Sequence, residues 1–145
     1  MENIWSVICS KAIVDQRTNI VSLIEVTDAI NIESDLPPVS ENPVNIGPVS
    51  LQIVSFWYRS DVEKPETGKG RSVLVGPDGQ ELGKHEVEID LESMVSRNVI
   101  TILPALPYIG LGYYHFRVEK MDKGEDKWIK TARLPLLLRV SPKTD

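Results

Sequence analysis

Turn-forming residues recur about every ten positions along this chain, and the segments between them alternate apolar with polar side chains at period two. That spacing leaves little room for helix. Asp90 to Val95 is the only stretch with helical character, and at its length it closes one turn at most. The pattern predicts an all-β fold, an antiparallel β-sandwich of about seven to eight strands with immunoglobulin-like or related topology. A closed β-barrel is the competing arrangement. The 145 residues, 41% of them apolar, suit a single domain over residues 1–145 with one hydrophobic core.

Individual segments support this expectation. Ile4 to Asp15 and Asn19 to Ile32 are Ile- and Val-rich and are separated by the turn-like Gln16-Arg17-Thr18, which predicts a hairpin. In the second segment Ile20, Ser22, Ile24, Val26, Asp28, Ile30 and Ile32 share one parity, the stripe expected of a half-buried strand, with a bulge or strand end near Asp28. Residues 33–48 hold four prolines, which remove backbone donors, so a long loop is expected there. Val49 to Arg59 is apolar on both parities and reads as a central strand, followed by a loop from Asp61 to Gly70. Gly76-Pro77-Asp78-Gly79 has the residues of a type I turn between two strands. Leu111 to Lys120 and Lys127 to Val140 form the last hairpin, around Met121 to Asp126.

Leu106-Pro107-Tyr108-Ile109-Gly110-Leu111-Gly112-Tyr113-Tyr114-His115-Phe116-Arg117-Val118 resembles the late strand of immunoglobulin-like sandwich domains, in which a Gly-x-Tyr-x-Phe-x-Val run follows a proline-bearing corner. The Cys and Trp core of true immunoglobulin domains is missing. Together with Cys9 to Asp15, Ser22 to Ile30 and Gly76 to Gly79, the run makes the chain similar to a family of short bacterial β-sandwich proteins with no assigned activity. The resemblance implies the fold and a bacterial cytoplasmic setting, and no functional residue.

Composition narrows function further. A formal charge of −5 opposes non-specific attachment to nucleic acid or anionic lipid, so neither is expected as a partner. No window approaches the roughly 18 to 20 apolar residues of a spanning helix, and Met1 to Ser10 alternates like a strand rather than a secretory leader. The lone Cys9 cannot form an internal disulfide, which fits a cytoplasmic protein, and is read as a small buried hydrophobe.

Motifs for chemistry are absent. Neither His85 nor His115 lies in a nucleophile motif, and one Cys with two distant His does not make a zinc site, so no catalytic residue, metal ligand or cofactor is assigned. Gly68-Lys69-Gly70-Arg71-Ser72 lacks phosphate-loop spacing. Loop acids (Glu33, Asp35, Asp61, Glu63, Asp122, Glu125, Asp126) leave open a small-ligand, carbohydrate or calcium-dependent binding domain. Charge is uneven: residues 1–66 carry ten acids and four bases, residues 67–145 eleven and twelve. Tyr113, His115 and Arg117 share a parity on the last hairpin, and Arg133 is expected on the facing strand. These four residues are the candidate interaction surface of a non-enzymatic module that binds a protein or self-associates.

Overall fold

The computed structural model describes residues 1–32, 36 and 39–141, and contains eleven strands and no helix among them. They are β1 (Glu2–Val14), β2 (Val21–Val26), β3 (Ala29–Ile32), β4 (Val39–Ile46), β5 (Leu51–Tyr58), β6 (Glu66–Val75), β7 (Glu81–Leu91), β8 (Ser96–Leu103), β9 (Leu106–Gly110), β10 (Gly112–Asp122) and β11 (Ile129–Val140). Three sheets form, in the orders β2-β1-β5-β8, β3-β11-β10-β6-β7 and β4-β9. Pairing is antiparallel except between β3 and β11, which run parallel. The first two sheets pack as a sandwich. Its order β1-β5-β8 opposite β11-β10-β6-β7 matches the A-B-E and G-F-C-C′ strands of immunoglobulin-type connectivity.

The eleven strands exceed the expected seven or eight for identifiable reasons. The segment Asn19 to Ile32 divides at Thr27-Asp28, so that β2 joins one sheet and β3 the other. The stretch expected to be a loop over 33–48 contains β4, despite Pro43. It pairs only with β9 and slips register between Val39 and Val44, and such an irregular edge is where a strand tolerates proline. The expected 61–70 loop ends early, because β6 begins at Glu66 and pairs with β7 along its length.

The core lies between the sheets in two clusters. One gathers Ile8, Ile53, Leu74, Leu106, Tyr108, Tyr114, Phe116 and Leu136 with their neighbours, and the other Met1, Trp57, Ile89, Leu91 and Val118. Buried Ser55, Ser72 and Thr101 also face the interior. Two devices hold the ends. The Arg59 guanidinium donates to the carbonyls of Leu91, Val62 and Glu92, tying the loop after β5 to the loop after β7. At the β9–β10 corner the buried Tyr114 hydroxyl accepts from the Ile109 N–H (2.9 Å) and donates to the Gly110 carbonyl (2.8 Å), a tyrosine corner. Gly110 (φ 153°) and Gly112 (φ 128°) supply the backbone angles that this corner requires.

The first sheet curls. Leu51, Ile53, Ser55 and Trp57 of β5 face the core, so Gln52, Val54, Phe56 and Tyr58 face outward, yet Val54 and the neighbouring Cys9 have no exposed surface. The cover is the far half of the β1–β2 hairpin. The Ala12 N–H donates to Gln52 Oε1 (2.8 Å), and Asn98, on β8, donates to the Asn19 carbonyl (3.0 Å). Residues 10–23 therefore fold back as a flap over the outer side of β5 and reach the start of β8. The half-barrel so formed is the only part of the described structure that approaches the closed barrel considered from sequence.

Candidate interaction surface

The four residues singled out from sequence lie on the outer side of β10 and β11, where Arg117 is the register partner of Arg133, His115 of Pro135 and Tyr113 of Leu137. Alternation explains why. Tyr114, Phe116 and Val118 turn into the core, which leaves the residues between them facing out. The structure then separates the four into two groups.

Arg117 belongs to an ion network. Its guanidinium bonds to Glu119 and to Glu81 of β7, and Glu119 is bonded by Arg71 of β6 as well. Glu119 is only 6% exposed, and its two oxygens are satisfied by Arg117 of its own strand and Arg71 of the neighbouring β6. The hydrogen bond and the nearby charge of Arg117 hold the Glu81 carboxyl below its ordinary value. Trp128 packs against Arg71 with the guanidinium 4.2 Å from its ring centroid, a cation–π contact that shields the network's edge. Trp57 is core and Trp5 stacks on Phe56, as expected of sheet-packing aromatics.

Tyr113, His115 and Arg133 remain available. Tyr113 is 72% exposed, the largest value among the aromatic side chains at the surface. His115 Nδ1 lies 3.4 Å from Arg133 Nη2. Burial first, and then the charges of Arg133, Lys130 and Arg117, hold the His115 imidazole below its ordinary value, so it is neutral at pH 7 and accepts from Arg133. Sequence reasoning missed the rest of the patch. Pro135 and Leu137 complete its apolar centre, and Arg139, bonded to Asn31 Oδ1 (2.8 Å), lies beyond Leu137. The signal was available, since Arg133, Pro135, Leu137 and Arg139 share one parity.

Other candidate chemistry lies elsewhere. His85 faces the interior side of β7 opposite Ser72 and lines a shallow cavity of about 190 Å³ with Leu74 and Phe116. A larger cleft of about 730 Å³ is bounded by Ile30, Leu36, Ile46 and Leu51, and its described lining has no acid, base or thiol. Among the described residues no three His, Cys, Asp or Glu side chains converge to hold a metal ion. Of the loop acids, Asp61 pairs with Lys64 and Asp122 with the Met1 ammonium and Lys120, while Glu33 and Asp35 lie outside the described residues. No described helix is long and apolar enough to cross a membrane.

No protein-family model matches the chain, and no curated protein or solved structure matches it either.

Proposed function

We propose that this protein is a non-enzymatic protein-interaction module, of bacterial cytoplasmic origin, that engages a partner through the outer side of β10 and β11. One observation carries the reading. An exposed Tyr113 with Pro135 and Leu137 is flanked by Arg133 and Arg139, neither of which forms an ion pair with a carboxylate among the described residues. Interfaces concentrate their binding energy in Tyr and Arg side chains around an apolar centre, and cations whose charge no intramolecular carboxylate offsets favour an acidic segment opposite them. Membership of the short bacterial sandwich family is part of the same proposal and rests on the run from Leu106 to Val118.

The test is affinity capture from the native host by wild type and by Tyr113→Ala and Arg133→Glu variants of equal thermal stability. A protein captured by wild type and lost with both variants supports the reading; equal capture by all three removes this surface from consideration. Arg117→Glu is unsuitable as a probe, because it places a carboxylate against Glu81 and Glu119 and disturbs folding as well as binding.

A further inference from the structure

The flap over the first sheet carries its own unexplained feature. The stripe expected to be buried from sequence faces solvent there: Ile20 is 66% exposed, Ile24 42% and Val26 60%, and Ile13 on the facing strand is 50% exposed. The other face of the flap, with Ala12, Val14, Val21 and Leu23, is the half-buried one. A period-two run of aliphatic side chains turned outward on a segment that already covers the sheet is a surface without an intramolecular role.

Its rows are set by the hairpin register. Lys11 lies opposite Ile24, Ile13 opposite Ser22, and Asp15 opposite Ile20 through the Asp15 N–H to Ile20 carbonyl bond. The outward face thus has a cation at one end, an anion at the other and isoleucine between. We propose that a second copy of this chain docks on this face, with the two-fold axis lying in the interface along the Ile13–Ser22 row. That rotation sets Lys11 against Asp15 of the other copy, Ile24 against its Ile20, and Ile13 against its Ile13. Both ends gain an opposite charge, and Ile13, Ile20 and Ile24 each gain an apolar neighbour, the self-complementarity that an isologous contact needs. The Asp15 carboxylate is already oriented, since Oδ1 accepts from the Arg17 and Thr18 N–H groups.

Four aliphatic side chains are a small patch beside the roughly 800 Å² per partner of a standard interface, so association is weak, over roughly 10 µM to 1 mM. Sedimentation of the full chain across that range tests it. The expected result is a concentration-dependent shift from 16.3 kDa towards twice that mass. Ile24→Lys weakens the dimer at least tenfold without lowering the melting temperature at dilute concentration, and Lys11→Glu weakens it at low salt but much less at high salt. A wild type that stays monomeric at 1 mM overturns the proposal, even if the flap then captures some other protein. So does a dimer that neither substitution weakens. Both outcomes leave the Tyr113 surface untouched.

Discussion

In the middle of the outer side of the five-stranded sheet the side chains are charged and half-buried, whereas on the outer side of the flap they are aliphatic and exposed. Glu119 at 6% exposure and Ile20 at 66% mark the two extremes. The difference teaches that polarity alone does not identify the side chains that hold this fold together. Glu119 is fixed from two strands by Arg71 and Arg117, and Glu81 extends the network to β7, so four charges lock three strands in register. Ile20 touches water. The first face is part of the folding energetics although it is polar, and the second is nearly free of it although it is apolar.

The sharpest way to break this comparison is Glu119→Ala. It leaves two arginines facing each other across a partly buried gap; removing one member of a buried ion pair costs about 3–5 kcal/mol, and the partial exposure of both guanidinium groups lowers the expected loss to about 2–3 kcal/mol. At about 2–4 °C per kcal/mol the melting temperature falls by roughly 5–10 °C. Urea unfolding of the variant measures the same quantity. A loss under 1 kcal/mol means that the charged face is ordinary solvated surface and the contrast dissolves.

Tyr114→Phe comes next. It keeps the buried ring but removes the one hydroxyl that serves both the Ile109 N–H and the Gly110 carbonyl, leaving two buried backbone groups without a partner at a cost of about 1–3 kcal/mol. Hydrogen exchange at Ile109 accelerates if the corner opens locally, and unfolding by urea reports the global cost. Unchanged exchange and stability remove the corner from the account.

These two sites also mark what could be read in advance. Strand identity was legible wherever period two coincided with a turn signal, as at Gly76 to Gly79, where the Gly79 N–H bonds to the Gly76 carbonyl (3.0 Å) between β6 and β7. The parity that brings Tyr113, His115 and Arg117 to one face was legible for the same reason. Long-range partners were not. Nothing local to Arg117 announces that Glu81, 36 residues away, closes on it, so a structural cation and a free one look alike in sequence. The outward stripe of β2 misled for a related reason: period two states that one face is apolar, and the sheet's curl decides which side that face meets. The strand β4 was hidden because Pro43 and the prolines on either side of it argue against a central strand and say little about an edge.

Acid sharpens the comparison through its charged groups. The His115 imidazole is held below its ordinary value of 6.5 by burial and by the arginines and lysine around it. Its folded form binds a proton less readily than the unfolded chain does, so its contribution is complete above that ordinary value and is lost as pH falls through the lower folded one. Burial opposes ionisation of Asp122 and Glu66, but bonds from Lys120, the Met1 ammonium and the Ser60 N–H hold both carboxyls below their ordinary values, so their contribution is complete above those ordinary values and is lost as pH falls through the lower folded ones. A urea series from pH 7.5 to pH 3 is expected to lose stability in these two stages. His115→Gln removes the first stage and leaves the second. A His115 resonance that titrates at or above the ordinary value contradicts the assignment.

The smallest effect is the most telling for the flap. Ile20→Ser exchanges an aliphatic side chain for a polar one, and in a core the same change would cost several kcal/mol. Here the side chain is already 66% exposed and no described residue needs it as a packing partner, so the expected change at dilute concentration lies within about ±0.5 kcal/mol. At high concentration the result diverges, because wild type gains stability by association while the variant gains less. Two urea curves at widely separated protein concentrations measure both effects. Coincident wild-type and variant curves at both concentrations detach the isoleucine stripe from folding and from self-association alike. A loss above 1 kcal/mol in the dilute monomer means instead that the flap's outer face is packed, and the contrast between the two faces then rests on the charged network alone.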